Sequence, residues 1–208
     1  MITNTYLEVI SGQMADPLLL HKLKAMLCNL SELVGGVKAL ESIKSHGSEE
    51  AETGESIEEI LHGVKSIFRD SLNAKSLQLE IQSEQDLVAP KMNPSILKYQ
   101  VLGNLVANAI KFSNPHSVIL LKAYKTADNL CLAVSDQGMG IPEHIKSTLF
   151  EWNKKSQRKG TQGELGTGFG LPIVKEILEL HSAYIDVNSP TDVESGQGTE
   201  ITVVFKAK

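Results

Sequence analysis

Three short segments of this chain carry side chains whose types and spacing can do chemistry. In QVLGNLVANAIKFS, Asn104, Asn108 and Lys111 or Phe112 fall about one helical turn apart and share a face of an otherwise apolar helix. A buried amide requires partners, and its neutral oxygen is a suitable donor to magnesium, a hard cation that keeps part of its water. Hydrogen bonding from helix to loop accounts for the same amides without a metal. In DQGMGIP, Asp136 continues the alternation of Leu130, Leu132 and Val134, which turns its carboxylate to the buried side of a strand. An unpaired carboxylate there is costly, and as a pure acceptor it suits an exocyclic amine such as that of adenine. Gly138 and Gly140 permit a tight turn and the approach of a flat base, with Ile141 to pack on it; an ordinary glycine turn after a strand is the other reading.

In GELGTGFGLPIV, Gly166, Gly168 and Gly170 free the backbone to wrap an anion, and the amides of the helix that follows face it with a favourable dipole. A dinucleotide-binding fingerprint needs a strand immediately before such glycines and a parallel βαβ unit after them, and the sequence offers neither. The polar loop that precedes them carries Lys154, Lys155, Arg158 and Lys159 and reads as a mobile cover with cations for a polyphosphate, or as a solvated lysine run.

These segments need elements to hold them. Leu19, Leu23, Met26, Leu30, Leu33, Val37 and Leu40 repeat in steps of four and three, the narrow seam of a helix that pairs with others, the other reading being a lone amphipathic helix lying on its own domain. Thr5 to Met14 reads as the end of an earlier helix and Ala15-Asp16-Pro17 as the turn between the two, a helical hairpin with a shortened first arm. SHGSEEAETGES reads as an exposed linker. Beyond it the pattern predicts a helix over Ile57 to about Ala74, a strand at Leu77 to Ile81 and a long helix from about Pro94 to Phe112. A hairpin of Val118 to Tyr124 with Leu130 to Ser135 follows, turning at Thr126 to Asn129 and burying one face. A helix from about Phe169 to His181 and strands at Tyr184 to Asn188 and Thr199 to Phe205 complete an α+β two-layer sandwich of a mixed sheet and helices.

The 208 residues, 41% of them apolar, suffice for one sizeable core, and a formal charge of −5 gives no general attraction to nucleic acid. No apolar run reaches the roughly 20 residues of a membrane helix, so no membrane contact is expected of this stretch of chain. Cys28 and Cys131 have no metal-ligand spacing and read as reduced core residues, which places the chain in the cytoplasm.

From about Ser56 to Lys208 the segments, in this order, resemble the ATP-binding domain shared by histidine kinases, gyrase-type topoisomerases, Hsp90 chaperones and MutL repair proteins, and within that group the sensor histidine kinases. NLVANAIKFS resembles their N box, DQGMGIP their G1 box, Leu149-Phe150 their F box, GTGFGL their G2 box and GQGT at Gly196 to Thr199 the last glycine box. The resemblance implies a Bergerat-type fold that binds ATP with Mg2+. Asn108 would be the metal ligand, Lys111 would lie on the phosphates, Asp136 on the adenine amine, the G2 glycines under the phosphates and Thr199 near Asp136. The full set of expected nucleotide contacts adds Asn104, Phe112, Gly138, Gly140, Ile141, Lys159, Gly166, Thr167, Gly168, Phe169, Gly170 and Leu171.

In the hydrolytic relatives a glutamate stands one turn before the magnesium asparagine; here that position is Asn104, which cannot act as a general base, so transfer to a protein nucleophile is favoured over hydrolysis. The family's acceptor is a histidine followed by an acidic residue, and none of His21, His46, His62, His116, His144 and His181 is so placed. Either the acceptor belongs upstream of Met1, or SGQMADPL is a decayed acceptor box with Gly12 in the histidine's place. The organisation expected is residues 1–45 as a partial dimerisation hairpin, 46–56 as linker and 57–208 as catalytic domain. The partners expected are a second copy through the N-terminal helices and a response regulator receiver domain. The function expected is γ-phosphoryl transfer to histidine and then to a response regulator aspartate, the rival being a silent nucleotide-binding regulator or scaffold.

Overall fold

The computed structural model describes residues 23, 27, 30, 31, 33–41, 55–152, 158–164 and 166–206. The predicted first arm and its turn, Gly12, His21, Cys28, most of the linker, Lys154 and Lys155 lie outside the described residues.

Helix α1 (Ile57–Ile67) starts at a reciprocal cap: the Glu59 amide donates to Ser56 Oγ at 3.2 Å, and the Ser56 amide donates to Glu59 Oε2 at 2.7 Å. Its buried face, Ile57, Ile60, Leu61 and Val64, follows helical spacing. The single helix predicted to Ala74 is in fact two, because Phe68 leaves helical geometry (φ −95°, ψ 7°) and turns its ring onto the core before α2 (Arg69–Ala74) resumes. α2 ends in a left-handed turn, with Ser76 at φ 53° and the Leu77 amide donating to the Leu72 carbonyl at 2.9 Å. Strand β1 (Gln78–Ser83) follows.

The predicted long helix begins as a π-helical stretch, Ile96–Leu102, and becomes α-helical only in α3 (Gly103–Phe112). The Gly103 amide bonds back to the Lys98 carbonyl, and a Cβ at position 103 would lie 3.2 Å from that oxygen, so a residue without a side chain stands where the wide turn closes. Strands β2 (Val118–Thr126) and β3 (Asn129–Asp136) form the predicted hairpin. A short helix α4 (Glu143–Lys146), which the sequence pattern did not reveal, precedes α5 (Gly170–Leu180), β4 (Ala183–Asn188) and β5 (Thr199–Lys206).

The five strands lie in the order β1-β2-β3-β5-β4, with β1 parallel to β2 and the other pairs antiparallel. The helices pack one face through Leu61, Leu105, Ile173 and Ile177 against Ile119, Leu132 and Val203. This is the mixed-sheet α+β sandwich read from the sequence. Strand β3, however, buries both faces, since Cys131 and Ala133 on the far side are as enclosed as Leu132. There the Lys122 ammonium reaches Glu200 at 2.7 Å across β3, Ala133 lies in register between Lys122 and Thr202, and Cys131 lies between Tyr124 and Val204.

Residues 33–41 are helical and pack on the domain: Gly36 sits where a Cβ would strike Ile173, Gly35 lies beside Gln100, and Ala39 and Leu40 join the core. The predicted seam therefore divides. Leu33 and Leu40 turn inward, while Leu30 and Val37 are exposed together with Leu27 and Val34. Among the described residues no helix is long and apolar enough to cross a membrane. Replacing Ser56 with alanine removes one half of the α1 cap, and urea denaturation of Ser56→Ala should show a loss of about 1 kcal/mol; an unchanged midpoint would mean that the cap contributes nothing.

Candidate functional site

A cavity of about 500 Å³ opens between α3, the ends of β3 and β5, and the start of α5. At one end is Asp136, the last residue of β3, paired in register with Thr199 of β5 and only 8% exposed. Burial pushes its carboxyl up to about 6, opposed by the Gly138 amide, which donates to Oδ1 at 2.8 Å, by the Thr199 amide and by the charge of Arg158. Gly138 has no room for a side chain, since a Cβ would fall on the Phe112 carbonyl, which accepts from the Met139 amide at 3.2 Å. The Gly140 backbone is left-handed (φ +63°), and a Cβ there would sit 2.6 Å from the Gly196 oxygen.

A buried serine that the sequence reading missed ties these turns together. Ser189 Oγ accepts from the Ile141 amide at 2.8 Å and lies 2.8 Å from the Gly198 carbonyl and 3.0 Å from Thr199 Oγ1. A hydroxyl has one proton to give, so Ser189 donates to the carbonyl and Thr199 donates to Ser189. The Gly198 amide in turn donates to the Gly138 carbonyl at 2.8 Å, which locks the β4–β5 connection to the turn after β3. Ser189 stands in a polar, glycine-bearing stretch, and no periodicity singles it out.

Arg158 also contributes more than its place in a lysine-rich loop suggested. Its guanidinium donates to the Gly140 carbonyl at 2.8 Å and lies 5.1 Å from the Phe112 ring centroid. Burial pulls its pKa down, while Asp136 raises it. Lys159, the neighbour singled out from sequence, is exposed and does not line the cavity.

At the other end α3 presents Asn104, Asn108 and Lys111. Asn104 is buried and donates to the Gln100 carbonyl, in the π-helical turn before it, at 2.6 Å. Asn108 is half-buried in the cavity wall. The Lys111 ammonium lies 4.7 Å from the Phe112 centroid and so close to Gly166 that a Cβ there would come within 2.7 Å of it. Thr167 Oγ1 accepts from the Phe169 amide at 3.1 Å, and α5 starts without a side-chain cap, with Gly170 and Leu171 in the cavity wall. Uncapped first-turn amides suit an anion. Phe169 itself stacks on Trp152 at 6.0 Å, while Gly138 and Gly140 shape the turn behind the wall; the other predicted contacts, Phe112, Ile141, Gly168 and Thr199 among them, line the cavity. Among the described residues no cluster of His, Cys, Asp and Glu can hold a metal. The oxygen donor facing the cavity from α3 is an amide, which fits a cation that takes most of its ligands from phosphate and water.

Residues 93–208 match the profile of the histidine kinase-, DNA gyrase B-, and HSP90-like ATPases. The chain belongs to this family. The chain is 33% identical over 127 residues to the circadian input-output histidine kinase CikA of Synechococcus elongatus, covering 61% of this chain and 16% of that protein. The chain thus spans only a small part of that relative. The Acinetobacter baumannii histidine kinase AdeS has a similar fold (TM-score 0.68, 20% identity, 98% of this chain and 94% of that one). So does full-length ShkA in complex with AMPPNP (TM-score 0.68, 22% identity, 91% and 38%).

The raised Asp136 pKa has a consequence for stability. Between the ordinary value of 3.8 and about 6 the folded domain binds a proton that the unfolded chain releases, so ionising Asp136 opposes folding as pH rises through that window. Without nucleotide, wild type should lose stability relative to Asp136→Asn from about pH 4 to about pH 6, with a constant gap above that; parallel stability curves by denaturation across this range would refute the raised pKa.

Proposed function

We propose that this chain is the kinase module of a two-component sensor, binding Mg-ATP in the cavity and offering the γ-phosphoryl to a histidine held on a paired-helix domain. The observation that carries this reading is the convergence of Asn108, Lys111, Asp136 and the Gly166–Leu171 turn on one cavity. Asp136 accepts the adenine amine, Ile141 packs on the base, Lys111 and the amides at the start of α5 hold the phosphates, and Asn108 supplies an oxygen to magnesium. Magnesium, when bound, neutralises phosphate charge. The transfer breaks the bond between the γ-phosphorus and its bridging oxygen, forms a phosphorus–nitrogen bond to the imidazole and releases ADP; the site acts by positioning and by charge.

Two further features support a kinase over a hydrolase. Asn104 occupies the place of a general base, and its amide is already engaged with Gln100. Among the described residues no histidine lines the cavity, in keeping with an acceptor delivered from another element. Residues 57–208 would form the catalytic domain, 46–56 its linker and 1–45 part of the dimerisation hairpin. The outward row of Leu27, Leu30, Val34 and Val37 is suited to pairing with a second copy. A response regulator receiver domain would take the phosphoryl onward, in the cytoplasm. The rival reading, a silent nucleotide-binding regulator or scaffold, draws on the lack of a histidine in an acceptor setting.

Calorimetry should show Asp136→Asn weakening ATP at least about tenfold, the loss of one charge-assisted hydrogen bond, and Asn108→Ala abolishing the magnesium dependence. Unchanged affinity in the first would remove Asp136 from adenine recognition, and retained dependence in the second would assign the metal elsewhere. Incubation with radiolabelled ATP and an acceptor-bearing dimerisation domain should label its histidine, and binding without label would favour the regulator.

A further inference from the structure

We propose that Lys75, which does not line the cavity, is a positioning residue that sets the place of Lys111 and thereby the grip on the phosphates. Lys75 is 4% exposed, and a buried ammonium is tolerated only where its protons are satisfied. All three are: Nζ donates to the Ile110 carbonyl at 2.8 Å, the Lys111 carbonyl at 2.9 Å and Glu164 Oε1 at 2.9 Å. The two carbonyls belong to the last turn of α3, the negative end of its dipole, so one cation caps the helix that presents Asn108 and Lys111. The left-handed turn at Ser76 closes α2 just after Lys75.

Glu164 links that cap to the segment after the lysine-rich loop. Burial would raise its pKa, but Lys75 and the neighbouring amides hold it below its ordinary value. Its Oε2 accepts from the Gln162 amide at 2.8 Å, and its carbonyl from the Gly160 amide at 2.9 Å. The segment is fastened to the same helix end, with the Thr161 amide donating to the Lys111 carbonyl at 3.1 Å and Thr161 Oγ1 to the Ser113 carbonyl at 2.7 Å. The Lys111 carbonyl therefore receives both Lys75 and Thr161, while its ammonium lies against Gly166 at the phosphate end. Arg158 at the opposite end has its own anchor on Gly140. Lys75 thus bears on the phosphate end through Lys111 and touches none of the Gly138, Gly140 and Thr199 groups around Asp136.

This inference rests on the reading that Lys111 meets the phosphates, and the test separates the two. Lys75→Met, Glu164→Gln and Lys111→Ala are titrated with Mg-ATP by calorimetry and with adenosine by NMR. We expect Lys75→Met to weaken ATP about tenfold or more and Glu164→Gln about threefold or more, with adenosine binding unchanged in both. A merely structural Lys75 would instead lower the melting temperature and weaken both ligands in proportion, and that result, or wild-type ATP binding in both variants, overturns the proposal. Should Lys75→Met not fold, Glu164→Gln decides by the same criterion, since it keeps the side chain's shape and an acceptor. Loss of ATP binding in Lys111→Ala with neither other variant affected overturns the role of Lys75 alone; unchanged ATP binding in Lys111→Ala overturns the phosphate reading and this inference with it.

Discussion

Burying the Asp136 carboxylate at the end of β3 obliges the surrounding chain to supply donors, and the geometry of one end of the cavity follows from how it does so. Gly138 must be glycine to bring its amide to Oδ1 while passing beneath the Phe112 carbonyl, and Thr199 must face Asp136 across the ladder. The β4–β5 connection then has to return to the turn after β3, which Ser189 and the Gly198 amide accomplish. These donors do not fully offset desolvation, so the carboxyl titrates near 6. A group left short of compensation in the free protein is one that a ligand amine can complete, as the proposed role of Asp136 requires.

The second constraint is the helix that crosses the cavity from end to end. Its π-helical beginning brings the Gln100 carbonyl to the Asn104 amide, and its final turn, capped by a buried cation, leads into the Phe112 carbonyl under Gly138. Asn108 and Lys111 are therefore placed by a helix fixed at both ends. The glycine-rich turn before α5 approaches that helix closely enough that only Gly166 leaves space for the Lys111 ammonium.

What the sequence made legible divides along physical lines. β-branched and aliphatic content placed β2, and period-two alternation placed β3, to within a residue or two, because each strand lays one face on the helices. Asn108, Asp136 and Gly166, singled out by residue type and spacing, all line the cavity. Phe68 and the π-helical turn were not, since a helix break made for packing leaves the apolar spacing intact on both sides. Lys75, Ser189 and Arg158 act through contacts to backbone carbonyls far away in sequence, and such contacts leave no local pattern. The seam of Leu19 to Leu40 was read as one face where the packing makes two, because Gly36 lets the helix approach Ile173 and draws Leu33 and Leu40 inward.

Asn104 bears on the proposed preference for transfer over hydrolysis. A carboxylate at that position would meet the Gln100 carbonyl as acceptor against acceptor. The amide instead donates to that carbonyl and is satisfied there. The π-helical turn and the asparagine fit one another, which supports the proposed transfer to a protein nucleophile over hydrolysis.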